Sequence, residues 1–290
     1  MAISRAQLVK ELEPGLNALF GLEYKRYDNQ HAEIYTNESS DRAFEEEVML
    51  SGFANANVKV EGSGVNYDQS QETYTARYTH DTIALAFAIT EEAIEDNLYD
   101  RISSRYTKAL ARSMSNAKQV KAAAPLNNGL PTADAFDSGD GVSLFNTSHT
   151  TVSGTSVKNT LTTQADLNET SLEQALIDIA GFTDERGLRV AAKGVKMIIP
   201  SANQFSAERL LKSQGRTGTA DNDINAVASM GMVPQGYRVN NFLTDSDSWY
   251  IITDVPNGMK MFTRAPLTTA MEGDFDTGNV RYKARERYSF

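Results

Sequence analysis

Proton transfer near neutral pH falls first to histidine, and the chain has three, His31, His80 and His149. None has a second His, Cys or acid at a recognised ligand spacing, so they read as scattered surface or turn histidines. Adjacent carboxylates occur at Glu45-Glu46-Glu47 and Glu91-Glu92. Neighbouring positions on a helix point in different directions, so these are a solvated face and a helix start rather than an acid/base pair. Gly62-Ser63-Gly64 and Gly215-Arg216-Thr217-Gly218 lack the Gly-Lys-Ser/Thr ending that cradles a phosphate, and turn chemistry accounts for them. No Gly-x-Ser-x-Gly elbow activates a serine, and cysteine is absent. The expectation is a protein with no catalytic residues, no cofactor and no metal.

One concentration of charge remains. The final segment alternates Val280, Tyr282, Ala284 and Tyr288 with Arg281, Lys283, Arg285 and Arg287, which places the basic residues on one face of a strand. The aromatics lie on the opposite face, so no platform for stacking bases forms. A ladder of ion pairs with another subunit is favoured over phosphate contact.

The elements that position these residues can be followed along the chain. Ser4-Arg5-Ala6-Gln7 has capping-box spacing, and Leu8 and Leu12 follow it, predicting a short amphipathic helix up to the Glu13-Pro14-Gly15 break. Leu16, Leu19, Phe20 and Leu22 extend the apolar surface, and Lys25 to Ser40 is polar; together they read as an arm. From Phe53 to Ile89 the pattern is that of strands. Val58 and Val60 lead into the Gly62 turn, then Tyr74, Ala76 and Tyr78 alternate with polar partners, giving a long hairpin with little of its own to bury. Beyond Asp81 the alternation shifts to Ile83, Leu85, Phe87 and Ile89, marking a bend or bulge.

Thr90 caps an expected helix carrying the stripe Ile94, Leu98, Ile102, Tyr106, Leu110, Met114 and Ala117. It stops at Ala124-Pro125, a length of roughly 50 Å at ~1.5 Å per residue. Pro131 to Thr163 is loop-like. A second capping box at Thr170-Ser171-Leu172-Glu173 opens a helix with the stripe Leu172, Leu176 and Ile179, ending at Gly187. Val195 to Ile199 is a buried strand, and Ser201 opens a helix carrying Phe205, Leu210 and Leu211. In the last third, Trp249 to Thr253 and Met259 to Thr263 flank Pro256-Asn257-Gly258 as one hairpin. Thr268 to Phe275 and Val280 to Phe290 form another.

With 290 residues, 40% of them hydrophobic, the chain can bury a sizeable core. Its net charge of -10 opposes long-range attraction to nucleic acid and anionic lipid. No stretch approaches the ~20 apolar residues of a membrane span and no signal segment opens the chain, so synthesis in a cytoplasm is expected. The sticky arm, thin hairpin, overlong helix and extended loops are awkward for a monomer, and each is explained if neighbouring copies cover it.

This order of elements, with "AFAITEEAIEDNLYDRISSRYTKALARSM" opening the long helix, "LFNTSHTT" after it and "GFTDERGLRVAAKGVKMIIPS" before a later helix, resembles the major capsid proteins of tailed bacteriophages. The wording of the last two segments looks like the branch that includes the major head subunit of Mu-like phages. The resemblance implies an α+β fold of the Hong Kong 97 type, in which residues 1–44 are an N-terminal arm and 45–89 an extended loop. Residues 90–164 would be the peripheral domain with its spine helix, 165–257 the axial domain, and 258–290 the return to the peripheral domain. It implies a virion protein whose main partner is itself, in hexamers and pentamers enclosing double-stranded DNA that it touches only non-specifically. An encapsulin-like compartment is the alternative.

Leu8, Leu12, Phe20, Val58, Lys59, Glu61, Tyr74, Tyr78, Arg281, Lys283, Arg285 and Arg287 are the expected inter-subunit contacts. Family members with a fused scaffold begin with a long helical extension, so scaffold and protease are expected as separate proteins, beside portal and decoration proteins. Lys59 lies on the loop that carries a cross-linking lysine in some members. Nothing identifies its partner, so a non-covalent shell is expected, with the net negative charge keeping DNA from adhering to its wall.

Overall fold

The computed structural model describes the chain apart from residues 1–4, 96–98, 132–135, 152, 217–222 and 275–276, and apart from the side chains of 5–12, 94–95 and 99–102. Helix α1 (Arg5–Lys25) leads through a 3-10 turn (Gln30–Glu33) into β1 (Thr36–Ser39), β2 (Phe44–Leu50), β3 (Glu72–Thr79) and β4 (Asp81–Ile89). Helices α2 (Glu91–Glu95) and α3 (Tyr99–Asn127) follow, then the short strands β5 (His149–Thr150) and β6 (Ser156–Val157). The next stretch runs α4 (Glu169–Ala180), β7 (Gly194–Ile199), α5 (Gln204–Lys212), α6 (Ala226–Met230), β8 (Tyr237–Val239) and β9 (Tyr250–Thr253). Strands β10 (Lys260–Gly273) and β11 (Val280–Ser289) close the chain. Two compact units result: Met1–Glu45, Tyr78–Ala122 and Met259–Phe290 form the first, and Glu46–Arg77 with Ala123–Gly258 the second.

In the first unit a four-stranded sheet of order β1-β10-β11-β4 pairs β1 parallel to β10 and the other neighbours antiparallel. The alternation of β11 gives it one buried face, with Val280, Tyr282, Ala284 and Tyr288 inward. Leu16 and Phe20 of α1 and Leu110, Ala111 and Met114 of α3 cover Tyr282 and Ala284. The helix runs through Pro14 and Gly15 instead of breaking there as expected, and beyond them Leu16 and Phe20 are buried, each such side chain worth ~1.5–3 kcal/mol. The polar stretch read as an arm supplies the 3-10 turn and β1. There Tyr35 is buried and its hydroxyl donates to the Ala122 carbonyl at 2.7 Å.

Helix α3 also departs from the expected pattern. Its buried positions include Ser103, Thr107, Leu110, Ala111, Met114, Ser115, Gln119 and Ala122, whereas Tyr106 is 51% exposed. The inward stripe is thus turned toward small and polar residues; Ile94, Leu98 and Ile102 lie outside the described side chains. Thr90 does cap α2, its Oγ1 accepting from the Ala93 N–H at 3.4 Å. Pro125 sits inside α3 rather than ending it.

The second unit holds the three-stranded sheet β8-β7-β9, with β8 parallel and β9 antiparallel to β7. Helix α4 lays Leu172 and Leu176 on Met197 and Ile199, with Ala207, Val227 and Val233 completing the core. Its cap is Asn168, two residues before the expected start: Asn168 Oδ1 accepts from the Ser171 N–H at 2.9 Å and Ser171 Oγ from the Asn168 N–H at 3.0 Å. The helix ends at Gly181, not Gly187, which at φ 84° serves a separate turn. The expected hairpin around Asn257 does not form, since β9 pairs with β7 and β10 with β11. Strand β2 pairs with β3, but residues 51–71 between them form no ladder. Val58 and Val60 are therefore not in strands, having no surface of their own to pack against.

Candidate assembly surfaces

The first surface is the outer face of the β4-β11-β10 sheet. Ladder register sets Arg281 between Ala88 and Glu272, Lys283 between Ala86 and Ala270, and Arg285 between Ala84 and Thr268. Residues directly opposite share a face, so three exposed cations stand in a row, Arg281 opposite Glu272 and Lys283 and Arg285 among small side chains. Arg281 contacts Asp274. Lys283 and Arg285 have no ion-pair partner among the described residues. Arg287 is half-buried with its Nε unpaired.

Beneath this face the alternation carries a surprise. Glu286 occupies an inward position and is 1% exposed. Lys118 of α3 reaches it at 3.1 Å, Tyr24 of α1 donates to it at 3.5 Å, and Glu286 Oε1 has no partner. Burial pushes the Glu286 carboxyl above the usual carboxylate range, with Lys118 opposing the shift. Lys118 also sits 4.9 Å from the Tyr288 ring centroid. The sequence offered no sign of this cluster beyond one acid out of phase in a basic alternation.

His31 and His80 are buried and His149 is half-buried, where surface or turn positions were expected. His80, between β3 and β4, joins Ser40 at 2.9 Å and Ser289 at 3.0 Å through its two ring nitrogens. His31 lies 3.0 Å from the Gln119 side chain. Each pKa is held below the ordinary value by burial first, then by the cations Arg287 and Lys118 respectively. His149 Nδ1 lies 2.7 Å from Asp140. Burial raises the Asp140 pKa, but hydrogen bonds from Ser138, His149 and the Val142 N–H bring it below the usual range. His149 Nε2 has no partner, so no nucleophile completes an acid/base relay there. No cluster that could hold a metal occurs among the described residues.

The second surface is the excursion 51–71. Its base is tied: the Ser51 N–H donates to the Gln71 carbonyl at 2.8 Å, Asp68 accepts from the Ala54 N–H at 2.7 Å, and Arg186 meets both Asp68 oxygens at 2.9 Å. Its tip is bare. Val58 is 93% and Tyr67 94% exposed, and Lys59 and Glu61 are exposed beside them.

Other expected contacts fall differently. Phe20 is 2% exposed in the core of its own unit, leaving nothing for a second copy to touch, so it is a core residue. Tyr74 is half-buried and donates to the Thr150 carbonyl at 2.6 Å. Tyr78 is half-buried with its ring 4.9 Å from that of Phe262. The side chains of Leu8 and Leu12 lie outside the described residues. A cleft of about 470 Å³ in the second unit is lined by Phe145, Phe182, Trp249 and Tyr250, with Lys158 paired to Asp178 at 2.7 Å.

Residues 73–290 match the family described as phage capsid protein. A chain from the capsid of bacteriophage JBD30 decorated with minor capsid protein trimers superposes with a TM-score of 0.54, at 11% identity over 75% of this chain and 92% of that one. A chain of the virus-like particle from Pyrococcus furiosus gives 0.50, at 10% identity over 94% and 92%. One from the capsid of an empty GTA particle gives 0.50, at 14% identity over 91% and 86%. No curated protein matches the sequence. A family match over most of the chain, on an α+β fold of the Hong Kong 97 type, places this protein in the phage capsid protein family.

Proposed function

We propose that the chain is the subunit of an icosahedral tailed-phage head, assembling into hexamers and pentamers around double-stranded DNA without catalysing a reaction. The observation that carries this reading is the capsid family match over residues 73–290; structures of the same fold come from capsids and virus-like particles. In this reading 165–257 act as the axial domain, and 90–164 with 258–290 as the peripheral domain. Residues 1–44 serve as the arm, and 45–89 as the extended loop laid on a neighbouring copy. Val58, Lys59 and Glu61 make contacts at the loop tip; Tyr74 and Tyr78 support the base of the loop. Arg281, Lys283, Arg285 and Arg287 receive acidic groups of a neighbour on the sheet face, and Leu8 and Leu12 contribute from the arm. Scaffold, protease, portal and decoration proteins are its further partners, and the finished protein resides in the virion after synthesis in the host cytoplasm.

Many modest interfaces repeated by symmetry make such a shell stable without one strong bond. Sedimentation and electron microscopy of the purified full chain test the reading. Closed shells, hexamers or pentamers are expected, and a protein that stays monomeric at high concentration would remove the proposal. The Pyrococcus furiosus particle favours one second reading, a protein-filled compartment. Nucleic acid in particles isolated from their natural source excludes that alternative.

A further inference from the structure

Helix α3 has a charge that the rest of the molecule does not explain. From Arg101 to Asn127 it carries Arg101, Arg105, Lys108, Arg112, Lys118 and Lys121 and not one acid, in a chain whose net charge is -10. Two of these cations are satisfied internally, Lys118 by Glu286 and Lys121 by Asp81. Arg105, Lys108 and Arg112 are exposed and have no ion pair or hydrogen bond among the described residues. Steps of three and four residues keep them on one stripe, opposite the buried face formed by Thr107, Leu110, Ala111 and Met114. The stripe borders an open groove of about 520 Å³ between α3 and the end of α1, lined by Lys108, Arg112, Ser113 and Asn116 on one side and Glu23 and Tyr27 on the other. The acid in this groove is already engaged: Glu23 lies 3.7 Å from Arg26 and accepts from the Tyr27 hydroxyl at 3.2 Å.

We propose that the Arg105–Lys108–Arg112 stripe and its groove bind the phosphate backbone of double-stranded DNA. The inference rests on the capsid reading and names the surface that would touch the contents. Three cations over eight residues span about 10 Å of helix at ~1.5 Å per residue, which covers about three phosphates at ~3.4 Å per strand step. Ser113 and Asn116 add neutral donors, the usual complement of a phosphate contact. An acidic amphipathic helix of a protein partner fits less well, because Tyr27 is the one large apolar side chain lining the groove and such helices anchor through several large apolar side chains. The contact is sequence-independent and local. It works against the chain's overall negative charge, so it holds DNA weakly and does not collect it from a distance.

Fluorescence anisotropy of the full chain before shell formation, with a labelled 20-base-pair duplex over a salt series, tests this. Lys108→Gln combined with Arg112→Gln is expected to lower the slope of log affinity against log salt by about two, at ~0.9 per phosphate contact, and to weaken binding tenfold or more near 0.1 M salt. Lys212→Gln, an exposed cation paired to Glu208 in the second unit, is expected to leave both unchanged, and circular dichroism checks that each variant is folded. A wild-type chain that does not bind the duplex, a double variant that binds it equally, or an oligoglutamate peptide bound as tightly as the duplex would each overturn the assignment. The last result would point to a protein partner instead. Electron microscopy of the same samples keeps the two readings apart, since shells that form while DNA binding is absent sink this inference and leave the capsid reading standing.

Discussion

Lys118 and Glu286 show how one pair can set the stability of a unit. Glu286 is almost wholly buried and Lys118 nearly so, and breaking such a pair from one side leaves an uncompensated charge at a cost of ~3–5 kcal/mol. Lys118→Met is expected to destabilise the protein by about 3 kcal/mol at neutral pH. The loss should shrink as pH falls. Burial already raises the carboxyl pKa, so the native state takes up a proton before the unfolded chain does, and the neutral acid no longer needs the amine. Adding Glu286→Gln should restore most of the stability and remove this pH dependence. Thermal unfolding of the two variants between pH 8 and 5 checks both outcomes.

His31 and His80 act in the opposite direction. Their native pKa values lie below the ordinary value, so the unfolded chain binds more protons once pH drops through its own value of about 6.5. Stability from these residues is present above that pH and lost below it. The charged groups acting on His80 are Arg287, Arg264 and Glu45, and Lys118 acts on His31. His31→Gln with His80→Gln is expected to flatten the fall in midpoint temperature between pH 7 and 5 relative to the unaltered chain. An equally steep fall would place the acid sensitivity elsewhere.

Among the elements, those whose pattern is fixed by local periodicity were legible and those fixed by a distant partner were not. The alternation of β11 and the Leu172–Leu176–Ile179 stripe of α4 follow directly from side-chain spacing. The burial of Leu16 and Phe20 against Tyr282 joins positions more than 260 apart in the chain, and propensity contains no such information. The Asn257 turn has hairpin chemistry, with Asn257 at φ 58°, yet its flanking strands belong to different sheets because β7 and β11 offer better partners. Contact surfaces were least legible. A hydrophobic residue in a sticky segment reads alike whether its cover is a neighbour or its own sheet, and Phe20 has the latter.

Close approach between elements gives a further test. Gly194 begins β7 where α4 crosses it, and a Cβ there would lie 2.8 Å from Leu176 Cδ2 and 3.0 Å from Ile251 Cγ2. Both neighbours belong to or pack on the core of the second unit. Gly194→Ala should therefore cost ~1–3 kcal/mol by overpacking, although alanine is otherwise the milder residue for a strand. Chemical denaturation would register it as a lower midpoint with an unchanged slope.

For the molecule as a whole, stability of the subunit and competence to assemble are carried by different residues. The two cores lie under the sheets, while the tip of the 51–71 excursion holds Val58, Val60, Val65 and Tyr67, all at least 60% exposed. Side chains that bury nothing in the folded chain contribute nothing to its unfolding free energy, so Val58→Ser with Tyr67→Ser should change monomer stability by no more than ~0.5 kcal/mol. Laid on a neighbour, the same two side chains would each lose apolar surface at ~25 cal/mol per Å², and symmetry would repeat that loss at every contact in a shell. The double variant is therefore expected to unfold at the unaltered temperature yet to need a several-fold higher protein concentration before particles appear in sedimentation. Assembly at the original concentration would move the contact away from the loop tip, to the basic sheet face or the arm.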